Sequence, residues 1–216
     1  MAIDGKTLRR SFDTAAKRSP LAVVTAFASA THTVIGQQGF RAGEGDSEIV
    51  AARALLQCLD LTGQLVTADA IHCQNDTAQV ILDRGGDYLL RLKRNRPALH
   101  VMVADYFAIP QVQAERDVAQ TTDGEHGRIE RRRAMVSHDL SWLKGPKSAS
   151  GEPVLPPGLT CLAMIEATVT RAGKTTTTRH YPSGLAAAAR RSLSEGRPGT
   201  LVDRKQPPLG ARHDLR

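Results

Sequence analysis

The chain has little with which to cross-link itself or to enter a membrane. Three cysteines, Cys58, Cys73 and Cys161, occur in 216 residues, an odd number with no C-x-x-C spacing. That pattern excludes a disulfide framework and a structural zinc site, and it fits a reducing compartment. No apolar run approaches membrane-spanning length, and Met1 leads straight into AIDGK without a signal-peptide pattern. The expectation is a cytoplasmic protein with no membrane partner. Excess charge of one sign is also scarce where a fold would form. Of the formal +7, the stretch 182–216 carries +4, with seven Lys/Arg against three Asp/Glu, which leaves the body only +3. A basic balance invites a nucleic-acid partner, but so small an excess decides nothing by itself.

What is present is an α/β pattern. Residues 21–30 (LAVVTAFASA) and 33–40 (TVIGQQGF) are rich in β-branched and apolar residues and read as two strands. Asp46 or Ser47 can cap a helix that places Ile49, Ala52, Leu56 and Leu59 on one face. Residues 65–68 form the next strand, Asn75 or Asp76 caps a second helix closed by Gly85-Gly86, and residues 87–93 form another strand. This alternation favours parallel pairing through right-handed crossovers. With a short strand around Ile3 and Asp4, it predicts a mixed five-stranded sheet. A helical pattern then runs from Pro97 to Phe107. Residues 116–122, 127–138, 159–170 and 174–181 are strand-like, separated by a Gly/Pro/Ser-rich loop at 144–158. The predicted organisation is a core over 1–181 with a β-rich insertion at about 111–181. A tail over 182–216, without hydrophobic periodicity, is expected to be disordered.

Chemistry concentrates in the stretch 64–74, QLVTADAIHCQ, where an apolar run ends on the carboxylate of Asp69. A second acid, Asp4 in AIDGK, has a similar setting. In open α/β sheets, ligands gather at the carboxyl ends of strands. Hard divalent cations such as magnesium take carboxylate oxygens, water and substrate phosphates. Two acids on neighbouring strands suit that chemistry, whereas one alone is an ordinary strand-end or capping aspartate. His72 and Cys73 invite a transition-metal reading, but neighbours on a strand point apart and no partner pair has suitable spacing. Loop polarity and a buried thiol account for them. Glu125-His126-Gly127-Arg128 opens a strand continued by Glu130 and Arg131, Arg132 and Arg133. Phosphate contact and a solvated charged strand are equal readings of it. Lys93, Arg94, Asn95 and Arg96 form a similar basic cluster past a strand end.

Taken in order, AIDGKTLR, VTADAIHCQ, GGDYLLRLKRNRP, HGRIERRR and DLSWL resemble bacterial insertion-sequence transposases of the DDE type, above all the family named for the As-one insertion sequence. The resemblance runs from Ala2 to about Tyr181. It implies a ribonuclease-H-like fold with a β insertion before the last helix. It implies that Asp4 and Asp69 are catalytic acids that bind magnesium or manganese. For Lys6, Lys93, Asn95, His126 and Arg128, which fall on family motif positions, it implies contact with DNA at element ends and targets. The intact family acts as a homo-oligomer.

Two departures follow. The family has an N-terminal region ahead of AIDGK, and a third acid in a helix of the form AVRAHWxIENxLHWVLD; neither is found here. Codons chosen to encode residues 195–206 (EGRPGTLVDRKQ), read one base downstream, translate as KAVRAHWSIEN. The missing glutamate then spans the codons of Arg204 and Lys205. The expectation is a truncated transposase with a shifted-frame tail, lacking its final catalytic helix and defective in this form. The rival expectations are a non-catalytic DNA-binding remnant that interferes with full-length transposase, and an independent metal nuclease using Glu125 or Glu130.

Overall fold

The computed structural model describes residues 1–184, apart from 13–14, 16–17, 44–45, 94–95, 115–116, 126–127 and 144–154. Asn95, His126 and the tail from 185 onward lie outside the described residues. Strands β1 (Ala2–Thr7), β2 (Leu21–Ala28) and β3 (Thr33–Arg41) form an antiparallel meander. Helix α1 (Glu48–Gln57), β4 (Leu65–Ala68), α2 (Asn75–Asp83) and β5 (Asp87–Leu92) follow, and β4 pairs in parallel with both β1 and β5. After α3 (Pro97–Ala108) and α4 (Pro110–Ala114), four long strands complete the fold: β6 (Asp117–Glu125), β7 (Arg128–Ser137), β8 (Cys161–Arg171) and β9 (Lys174–Gly184). Among the described residues no helix is long and apolar enough to cross a membrane.

The expected five strands are part of a larger object. All nine strands form one sheet in the order β3-β2-β1-β4-β5-β9-β8-β7-β6. The β-rich region therefore extends the α/β sheet, and its last strand is the one that joins, by antiparallel pairing of β9 with β5. That pairing includes Leu89 with Gly184, Leu90 with Ser183 and Arg91 with Pro182. The expected boundary at Pro182 thus falls inside β9, and Ser183 is fully buried. A second correction concerns Glu125 and Arg128. They pair directly, Glu125 as the end of β6 and Arg128 as the start of β7, so Glu125 belongs to the strand before Arg128's and does not open it.

Strand alternation sorts the side chains into two faces. In β2, Ala22, Val24 and Ala26 are buried while their neighbours are partly exposed. They join Ile3, Val66, Tyr88, Leu90 and Leu92, and Ala51, Leu55, Leu56, Ile81, Leu99, Val103 and Phe107 from α1, α2 and α3, in one core cluster. The buried stripe of α1 holds the expected Ala52 and Leu56 together with Ala51 and Leu55, while the expected Leu59 lies past the helix and packs partly buried against the core. Ser47 caps that helix, its Oγ accepting from the Val50 amide at 3.3 Å. Gln74 rather than Asn75 precedes α2, and makes no side-chain cap. Arg53 of α1 instead holds the start of α2, donating to Gln74 Oε1 at 2.8 Å and Thr77 Oγ1 at 3.1 Å.

Candidate functional site

The parallel ladder fixes the relation between the two acids. Ile3 of β1 is in register with Ala68 of β4, and Ala68 with Leu90 of β5. The next residue along each chain is Asp4, Asp69 and Arg91. Asp4 also stands opposite Thr25, which stands opposite Gln37. One transverse row therefore reads Gln37, Thr25, Asp4, Asp69, Arg91 across five strands. Its members point away from the core, because Ile3, Ala68 and Leu90 belong to the opposite parity. Adjacent strands lie about 4.8 Å apart, so Asp4, inside β1, and Asp69, just past the end of β4, are lateral neighbours one step beyond the parallel β1–β4 ladder.

Local contacts orient both carboxylates. Asp69 Oδ1 accepts the Ala70 amide at 2.7 Å, capping a single 3-10 turn over Ala70–His72 and leaving Oδ2 toward solvent. Arg91 approaches the same Oδ1 at 3.9 Å. Lys6, two residues along β1 on the same face, lies 3.6 Å from Asp4 Oδ2. The Asp4 and Asp69 side chains are 49% and 64% exposed, open enough to receive a ligand. Two carboxylates with open oxygens fit a hard divalent cation. Among the described residues no three His, Cys, Asp or Glu side chains converge, so the pair is a partial donor set.

Behind the row, on the core face, a second pair braces the same strand ends. His72 Nε2 donates to Glu48 Oε1 at 3.1 Å, linking the turn after Asp69 to the start of α1. The Glu48 carboxyl lies over Gly5, where a Cβ would come within 2.3 Å of it. Glycine after Asp4 thus lets the α1 terminus close on β1. His72 is 1% exposed, and its Nδ1 has no hydrogen-bond partner. Burial lowers its proton affinity, against the opposing pull of Glu48 and Asp69. Imidazole is therefore neutral in the fold, with its proton on Nε2. A base that folding makes weaker binds more protons unfolded, so stability falls as pH drops below its ordinary value of 6.5. Urea midpoints at pH 7.5 and 5.5 should show this loss in the native chain, with a smaller difference in His72→Gln.

The other expected positions spread over the sheet. Lys93 follows β5 at the carboxyl edge, beside the acids. Arg128 starts β7, in register with Arg171, which pairs with Lys174. This places it at the tip of the long hairpins, four strands from Asp69 and about 24 Å beyond the point where β9 leaves β5. Glu130 is taken by Arg128 and Arg132, at 2.5 and 2.6 Å. Arg96 donates to the Cys73 carbonyl at 3.2 Å and to Asn75 Oδ1, so this member of the basic cluster ties loops together. Cys73 is 1% exposed and its thiol is pushed up by burial; Cys161 is pushed up to about 12 for the same reason. Arg91, His180, Glu48 and the buried state of His72 were not legible as site features. Arg91 alone carries a signal, as a charge inside the apolar strand YLLRL.

Comparison with known proteins bears on this site directly. Residues 1–148 match the model of the family described as "Transposase DDE domain". An "Uncharacterized protein in dhlA 3'region" of Xanthobacter autotrophicus is 35% identical over 166 residues, covering 77% of this chain and 53% of its own length. The "H repeat-associated putative transposase YhhI" of Escherichia coli K12 is 37% identical over 137 residues, covering 63% of this chain and 36% of that protein. The chain thus spans about half to a third of the length of these curated relatives. Among solved structures, a piggyBac transposase synaptic complex with hairpin DNA aligns at 12% identity with a TM-score of 0.39, over 84% of this chain and 32% of that one. The matched segment runs from residue 1 to residue 148 of 216 and holds both Asp4 and Asp69, and the chain belongs to the transposase DDE domain family.

Proposed function

We propose that the chain is the catalytic portion of a cytoplasmic DNA transposase, with a ribonuclease-H-like core in which Asp4 and Asp69 hold divalent magnesium or manganese. What supports the reading is the parallel register, in which Ile3 pairs with Ala68, so that Asp4 of β1 stands beside Asp69 at the end of β4. A divalent cation there supplies positive charge to a DNA phosphodiester and acidity to bound water. The protein's part is to aim the carboxylates. The Ala70 amide fixes Asp69, β1 fixes Asp4, and the Glu48–His72 pair holds the strand ends from behind. Lys6 and Lys93, with Asn95, His126 and Arg128, are proposed contacts to element-end and target DNA, assembled in a homo-oligomer.

The shifted-frame reading of residues 195–206 favours a second outcome, a DNA-binding remnant that does not cut and interferes with full-length transposase. Sequencing the DNA around codons 182–206 tests the shift. Function is tested with labelled duplex DNA. Binding should be weak and should fall about tenfold or more between 50 and 200 mM salt, since neutralised phosphates release counterions. Strand cleavage that needs manganese and Asp69 separates the catalytic reading from the remnant. Tight, salt-insensitive preference for one sequence would contradict both.

A further inference from the structure

Arg91 is a charge set among the apolar residues of β5. Its neighbours in β5, Leu90 and Leu92, are buried, and the arginine side chain itself is only 23% exposed. Drawing a cation this far out of water is costly unless it is paired well. Arg91 approaches the Asp69 carboxylate, itself 64% exposed, at 3.9 Å, a contact that solvent weakens. The guanidinium is nonetheless held in a defined plane. Its Nη2 donates to His180 Nδ1 at 2.5 Å, which requires that nitrogen to be unprotonated. His180 lies two residues before Pro182, the partner of Arg91 across the β5–β9 ladder, so it shares the face of the acids. β9 thus supplies the residue that orients an arginine of β5.

The row therefore continues as acid, acid, oriented arginine. A planar guanidinium beside two carboxylates is suited to an oxyanion seated between them, since its fork matches phosphate oxygens. We propose that Arg91 is a phosphate-holding residue of this site, taking a non-bridging oxygen of the DNA phosphodiester that lies at Asp4 and Asp69. The assignment rests on the two-acid reading and adds a protein contact to it. With DNA bound, the guanidinium exchanges its long contact with Asp69 for the phosphate, and His180 keeps the plane. The same arginine, next to Asp69 in the free protein, opposes a divalent cation there.

Two opposed effects follow for Arg91→Gln in the full chain. In EDTA, the slope of log affinity for duplex DNA against log salt should shrink by about 0.9, the share of one phosphate. Affinity for manganese, by calorimetry without DNA, should rise about threefold as the competing cation is removed. Arg91→Lys should keep the native slope but bind DNA about threefold more weakly, because an ammonium lacks the fork. Melting curves establish that each variant is folded at the temperature used. If Arg91→Gln is folded and its slope is native, or if it binds manganese less well, the arginine is a structural brace and the proposal is wrong. If Arg91→Gln does not fold, native DNA affinity in Arg91→Lys overturns the proposal equally. A native chain that binds no manganese defeats the two-acid reading instead, while a smaller salt slope in Arg91→Gln would still leave Arg91 as a phosphate contact.

Discussion

Gly184→Ala should lower the melting temperature by about 6–12 °C, the largest stability effect expected of any single methyl group among the described residues. Gly184 sits where three strands meet, paired with Leu89 of β5 and Cys161 of β8. Its carbonyl accepts the Thr160 amide at 3.0 Å and the Cys161 thiol at 3.4 Å. A Cβ there would lie 2.2 Å from the Tyr88 carbonyl oxygen and 3.1 Å from a methyl carbon of Leu89. The first of these is backbone in a central strand, so it has no rotamer by which to retreat. Overpacking of this kind costs about 3 kcal/mol, and each kcal/mol shifts the melting point of a domain this size by about 2–4 °C. Gly124→Ala is the matched control. Gly124 is also in a strand, but a Cβ there meets nothing within 4 Å. Differential scanning calorimetry of the two variants should separate them clearly. Equal melting points would mean that β9 does not close on β5 as described.

The same junction marks the limit of what the sequence discloses. Local patterns carried the early elements: the alternation in LAVVTAFA, the Ser47 cap and the glycines after Leu82 each act within a few residues. Asp69 was legible for the same reason, since it follows directly on the apolar strand Leu65–Ala68, whereas Asp4, expected in a similar strand-end setting, lies inside β1. Long-range pairing was not legible. Nothing local says that β9 joins β5, and Pro182 with Gly184 reads as the end of regular structure, because proline lacks an amide and glycine weakens strands. Tertiary pairing overrides both. The Glu48–His72 bond spans 24 residues and the Arg91–His180 bond 89. Each depends on register between strands that sequence periodicity does not supply.

Asp69→Asn should remove manganese binding while leaving the fold intact, and Asp4→Asn should do nearly the same. The amide oxygen of asparagine can still accept the Ala70 amide, so the cap over Ala70–His72 survives the change. What is lost is the negative charge that a hard divalent cation needs. Asp4 is partly exposed and contacts Lys6 at 3.6 Å, so its replacement also leaves packing untouched. Asp60→Asn supplies the control, an acid held in a turn by the Thr62 amide and hydroxyl at 3.0 and 2.7 Å, away from the row. Manganese titration of the full chain and these three variants, by calorimetry at one pH and ionic strength, tests the two-acid site most directly. The account predicts binding by the native chain and by Asp60→Asn, with a loss of about tenfold or more in both Asp4→Asn and Asp69→Asn. Native affinity in either of those two variants would contradict it.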